Sequence, residues 1–333
     1  MEDKRISALD TVRGVAAFCV MWVHTSLGGD IWIISPIMLP AFFFVAGCLL
    51  KQDNAKSFFK NRILKLLLPW ILVSYVQAYA NVSTVKQILA DGSEFWRIGK
   101  ECSINVLLGR AVWFVPALIV ALIIAYLIIR LCGEEKPVLM LTVSVAAAVA
   151  AYFFMRPHSV FNVWNLTAAT INQFFVVAGF VAKRLCRQDG EIRKMPLWWI
   201  PVYIAELAVC RMLWQMEYFD VRNNEYGQLF GLYFILALSG IAAVFSVATR
   251  VSKIPLLTFM GRHSLLYFAF GPHGYVIGRT VLKTAMRILQ VETVSDNFNS
   301  LFVCTMASIA WILPAMLIDR ICPVLNGKWT WKR

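Results

Sequence analysis

Long apolar runs recur along nearly the whole chain, at about residues 9–29, 31–50, 66–83, 111–130, 138–155, 164–182, 197–216, 227–249, 256–276 and 300–320. A helix needs about 20 such residues to cross the hydrocarbon core of a bilayer, whereas a barrel strand needs only about 10. Within that core every backbone N–H and C=O must find an internal partner, so only helices and closed barrels span it. The pattern therefore predicts an all-α integral membrane protein of about ten transmembrane helices. Short breaks of similar composition separate the runs, with no repeat and no low-complexity tract. One transmembrane domain is expected over residues 1–333, with no appended soluble domain.

Charge gives this arrangement a direction. Lys and Arg number 32 against 19 Asp and Glu, a formal net charge of +13, which alone would suggest a nucleic-acid partner. Their placement argues for no nucleic acid. Twenty lie in the breaks 1–8, 51–65, 130–137, 183–194, 250–255 and the tail from 320, and nine lie in the alternate breaks. An excess of Lys and Arg marks the cytoplasmic side of a membrane protein, so both termini are expected in the cytoplasm. No cleavable signal is evident, because no small-residue cleavage site follows the first run. The eight cysteines form no CxxC pair, and neither a disulfide framework nor a metal site is expected.

Three ionisable residues interrupt the first run: Asp10, Arg13 and His24 within LDTVRGVAAFCVMWVH. Such a group inside a membrane helix costs about 3 kcal/mol and marks a functional site by default. The eleven-residue step from Arg13 to His24 covers about 16 Å and returns to nearly the same helix face, with Asp10 one turn before Arg13. Two breaks are more than turns. Residues 51–65, KQDNAKSFFKNRILK, alternate basic and apolar positions like a helix lying in the membrane interface. Residues 84–110 form the longest break on the opposite side, and a short amphipathic segment is expected there to cap the outer mouth.

Several stretches, taken in order, resemble the membrane-bound acyltransferase-3 family, the bacterial O-acyltransferases of surface glycans. Arg13 and His24 reproduce the R-x10-H pattern of its first helix, and the surrounding residues match that opening almost position by position. LPAFFFVAGCL, from Leu39 to Leu49, resembles its second helix, with Ala46 where Ser is usual. FKNRILKLLLPW, from Phe59 to Trp70, resembles its basic approach to the third helix, with Arg62 and Lys65 in place of a paired R-x-x-R. Trp113 and Phe114 stand where a Trp-Phe pair opens the fourth helix, and GRHSLLY, from Gly261 to Tyr267, resembles its late G-basic-x-S-L element. A His-Pro often follows that element. Here Gly271 and Pro272 occupy the place, and His273 receives no role.

The resemblance implies transfer of an acyl group, with acetyl-CoA as the expected cytoplasmic donor and no metal, to a hydroxyl of a surface polysaccharide or lipid-linked glycan. It also implies a multi-pass protein of the bacterial plasma membrane, in contact with membrane lipid, with a homo-oligomer left open. A hydroxyl is a poor nucleophile near neutral pH, and His24 is the candidate to deprotonate it or to carry the acyl group covalently. Arg13 offers five donors for a phosphate, for the thioester oxygen as charge develops, or for Asp10, which would orient it. Lys60, Arg62 and Lys65 are candidates for the phosphates of CoA, against the alternative that they bind lipid headgroups. Arg262 and Ser264 would line the same entrance. Trp113, Glu206 and Arg211 are candidate substrate contacts, although an interfacial belt explains Trp113 as well and interhelical hydrogen bonding explains the other two. Rival readings are a transporter or flippase, which a polar track through ten helices also suits, and a non-catalytic subunit of a glycan-synthesis complex.

Overall fold

The structure, a computed structural model, describes residues 7–25, 31–51, 54–188, 191–192, 194–214, 218–227, 229–251 and 254–328. The two ends, expected in the cytoplasm, lie outside the described residues. Among the described residues the regular structure is helical apart from a minimal ribbon that pairs Arg187–Gln188 with Glu191–Ile192 and a single bridge between Asp220 and Glu225. Helix starts follow from caps and prolines. After α1 (Ser7–Val23) come the short α2 (Ser35–Met38) and α3 (Pro40–Cys48), each with a proline in its first turn, where a missing N–H leaves no bond unmade. Asn54 caps α4 (Ala55–Phe58) by accepting from the Ser57 amide at 2.8 Å.

One π-helical turn, Phe59–Ile63, joins α4 to α5 (Leu64–Tyr79), so the helix is unbroken from Ala55 to Tyr79. The interfacial helix expected over 51–65 is therefore the opening of a longer one. No glycine or proline falls between Ala55 and Pro69 to separate them. Asn81 caps α6 (Val82–Ala90), and α7 (Glu94–Leu107) follows a turn in which the Asp91 carboxylate accepts from the Ser93 amide at 2.8 Å. Next are α8 (Phe114–Cys132), α9 (Pro137–Ala150), which runs on through a second π turn to Met155, and α10 (Leu166–Cys186).

The remaining helices are α11 (Trp199–Trp214), α12 (Phe230–Ala248), α13 (Pro255–Arg262), α14 (Ser264–Phe270), α15 (Tyr275–Leu289), α16 (Asp296–Ala310) and α17 (Ile312–Ile321). The run 256–276 reads as one helix in the sequence but breaks at His263, whose backbone leaves helical geometry at φ −116° and ψ 23°. Six helices among the described residues are long and apolar enough to cross a membrane. A seventh results if Ala55–Tyr79 and Ser83–Ala90, bent by 65° to each other, make one span. α1 and α11 are shorter, at 17 and 16 residues.

The chain divides into two compact units, Met1–Leu49 with Ala178–Ala315, and Leu50–Val177 with Met316–Arg333. In the first, α1 is the central helix, packed against α2, α3, α12, α13, α14 and α16. Its tightest neighbour is α13. A Cβ on Gly14 would lie 1.8 Å from the Leu257 carbonyl oxygen, and one on Gly261 would lie 1.8 Å from that of Asp10. The two backbones touch at these glycines, as small residues allow between membrane helices.

In the second unit, polar groups stitch helices together. Gln173 donates to the Ser144 carbonyl at 2.7 Å and accepts from the Ser144 hydroxyl at 3.0 Å, a reciprocal pair buried between α9 and α10. The Trp70 indole donates to the Ala111 carbonyl at 2.7 Å and packs edge-on against Trp164. α7 docks on α5 through Tyr79, which donates to the Phe95 carbonyl at 2.9 Å, and through Tyr75, paired with Ser103 at 2.7 Å. Its other face leaves Trp96 and Leu107 exposed. The amphipathic segment expected over 84–110 is thus a pair of helices.

Candidate active site

The site begins where α1 crosses α13. Contact at Gly14 and Gly261 draws the polar side chains of both strands of this crossing within bonding range. The buried Asp10 carboxylate accepts from Arg262 Nε at 3.2 Å. Arg13 Nη2 donates to Ser264 Oγ at 2.9 Å, and the hydroxyls of Thr11 and Thr258 meet at 3.1 Å. The break at His263 makes this possible, since it turns the chain between Arg262 and Ser264 so that one reaches Asp10 and the other Arg13. His263 is held by its own helix: Nδ1 lies 3.0 Å from the Phe259 carbonyl and the ring stacks on Phe259. A residue near a helix end is expected to meet solvent, yet His263 is only 5% exposed because α1 covers the break. Tyr267 completes the element by donating to the Ser308 carbonyl at 2.9 Å.

The sequence set Asp10 beside Arg13 and set Arg262 and Ser264 at a donor entrance. The structure brings all four together, with Arg262 on Asp10 and Ser264 on Arg13. A guanidinium carries five donors in a planar fork, and the Ser264 bond holds that fork at the crossing.

His24 lies just beyond the last turn of α1, its backbone N–H bonded to the carbonyls of Val20 and Met21. Carbonyls at this end of α1 and just beyond it take further donors from α15. Tyr275 donates to the Met21 carbonyl at 2.5 Å and Arg279 to the Thr25 carbonyl at 3.0 Å. The His24 side chain is exposed at this end and within electrostatic range of Arg222 and Asp220, on the turn after α11. Asp220 accepts from the Asn223 amide at 3.1 Å and from its side chain at 2.8 Å, which shapes that turn. Sequence reasoning did not find Asp220, Arg222 or Arg279 as neighbours of His24. Arg222 and Arg279 were visible only as cations on the side where few are expected.

The other candidates fall elsewhere. The Glu206 carboxylate accepts from Ser239 on α12, and Arg211 is exposed with its guanidinium over the Trp32 ring, 5.4 Å from the centroid. Lys60, Arg62, Lys65 and Trp113 belong to the second unit. Lys60 and Arg62 lie in the π turn, with Lys60 exposed and Arg62 half-buried, and Phe58 before them stacks on Tyr126 with ring centroids 4.2 Å apart. The Trp113 carbonyl accepts from Asn165 at 3.4 Å.

A family model described as an acyltransferase domain matches residues 6–317, nearly the whole chain. No curated protein and no solved structure matches it.

Proposed function

Since the chain belongs to the acyltransferase-3 family, we propose that this membrane acyltransferase moves an acyl group, acetyl in the first instance, from cytoplasmic acyl-CoA to a hydroxyl of a surface polysaccharide or lipid-linked glycan. On this reading it lies in the bacterial plasma membrane with about ten helices crossing and both termini inside. The observation that carries it is the layout of α1. Arg13 is fixed by Ser264 near one end, and His24 stands exposed at the other, about 16 Å further along the same helix.

No small group touches both residues across that distance, so their roles divide. Arg13 holds an anionic part of the donor, and His24 serves the reacting hydroxyl. Acting as base, the imidazole takes the hydroxyl proton as the oxygen attacks the thioester carbonyl. The C–S bond then breaks, and the proton passes to the departing thiolate of CoA. In a covalent route the imidazole itself attacks the carbonyl first, releasing the thiol, and the hydroxyl then displaces it. Lys60, Arg62 and Lys65 suit the phosphates of CoA, because Arg and Lys pair with phosphate through charge-assisted bonds.

The test is acylation of the host's surface glycan by wild type, His24→Ala and Arg13→Ala at equal membrane abundance. We expect losses of at least about a hundredfold for His24→Ala. Undiminished acylation in both variants refutes the proposal, and retained complementation by His24→Ala points to a non-catalytic subunit.

A further inference from the structure

α15 presents three faces. Tyr275, Gly278 and Leu282 are buried, Ile277, Val281 and Ile288 form an exposed apolar strip, and Arg279, Lys283 and Arg287 form a third, cationic stripe. These cations recur every four residues, about 6 Å apart along the helix, so they share one side. Arg279 anchors the stripe at the Thr25 carbonyl, one residue from His24. Lys283 and Arg287 are exposed, and among the described residues no carboxylate pairs with any of the three. Arg222 adds a cation within electrostatic range of His24. With the termini inside, this is the side where topology leaves few Lys and Arg, so orientation does not account for them.

We infer that this stripe is a docking rail for the phosphate group of a lipid-linked acceptor, which lays its hydrocarbon chain along the apolar strip of α15 and presents its sugar to His24. Charge complementarity selects the phosphate, and the neighbouring strip selects a ligand with a lipid tail. The assignment of the ligand as acceptor rests on the acyltransferase reading, whereas its binding does not.

The experiment uses the full chain in phosphatidylcholine nanodiscs, with geranylgeranyl diphosphate as probe and geranylgeraniol as its uncharged counterpart. Wild type should bind the diphosphate at least about tenfold more tightly than the alcohol. The preference should fade as salt shortens the screening length to about 3 Å. Lys283→Ala/Arg287→Ala should lose it, and the charge-keeping swap Lys283→Arg/Arg287→Lys should retain it, which separates lost charge from lost fold. Equal affinity for both probes in wild type, or an unaltered preference in the alanine pair, overturns the rail. So does full displacement of the diphosphate by an equal amount of phosphatidylglycerol, which would make the stripe a general anionic-lipid site. His24→Ala should bind the diphosphate like wild type. A protein that binds it with the predicted preference but transfers no acyl group disproves the enzymatic reading and leaves the rail standing.

Discussion

Gly261→Ala tests the crossing on which the site depends. The added methyl would sit 1.8 Å from the Asp10 carbonyl oxygen and 2.7 Å from its carbon, where ordinary contact begins near 3.4 Å. The obstacle is helix backbone on both sides, so no side chain can swing away. α1 and α13 must part by about 1.6 Å, and the three bonds that span the crossing, at 2.9, 3.1 and 3.2 Å, then exceed the range in which a hydrogen bond holds. Forcing one methyl into a packed interior costs about 1–3 kcal/mol, and each broken bond adds about 1 kcal/mol. We expect a loss of about 3 kcal/mol or more on that basis, together with loss of acylation as Arg13 drifts from Ser264. Gly231→Ala is the control, because nothing lies within 4 Å of its added Cβ and alanine favours a helix over glycine by about 1 kcal/mol. The assay is the midpoint of heat-induced loss of monodisperse protein in detergent, alongside acylation in membranes. A Gly261→Ala protein with the midpoint and activity of wild type would refute this account of the crossing.

Further outcomes follow from the same geometry. Arg13→Lys keeps the charge but loses the planar fork; donor KM should rise about tenfold or more, by roughly the worth of one charge-assisted bond, while protein abundance is unchanged. Ser264→Ala should shift donor KM in the same direction by a smaller factor, and rescue by Ser264→Thr would separate the hydroxyl from packing. If His24 acts as base, initial rates should fall on acidification as the imidazole takes up a proton and can no longer accept one; a profile flat through the acid range excludes the role. Trp70→Phe removes the indole donor and leaves the Ala111 carbonyl without it, at a cost of about 1–3 kcal/mol readable as a lower unfolding midpoint.

What was legible in the sequence was the content of each helix face, and what was not was its partner. The R-x10-H spacing places Arg13 and His24 along one stripe of α1 by helical pitch alone. Nothing in that pitch says that Asp10 meets Arg262, because the two lie 252 residues apart. The break at His263 was hidden as well, since apolar residues on both sides of Gly261–Ser264 read as one continuous run over 256–276. Its consequence is visible only on α1, which pairs with the residue on each side of the break. The continuity of Ala55–Tyr79 escaped for the opposite reason: the change from basic to apolar residues near Lys65 suggests a boundary, but composition changes with the surroundings of a helix as readily as with its end. Gln173 is a polar residue in an apolar run, and only its reciprocal pairing with Ser144 shows that it joins α10 to α9.

The span of chain between α1 and α13 also bears on biogenesis. The bonds from Arg262 to Asp10 and from Arg13 to Ser264 join residues 252 and 251 positions apart. A ribosome adding about 5–20 residues per second needs about 13–50 s to bridge that interval. For all of it the first helix is made, and its carboxylate and guanidinium lack the partners that will neutralise or fix them. Helix α1 therefore leaves the ribosome about 250 residues ahead of the helix it packs against most tightly. A stalled or truncated chain ending before Arg262 would present Asp10 without its Arg262 bond and Arg13 without its Ser264 bond, a signature by which membrane proteases and insertases tell an unfinished molecule from a finished one.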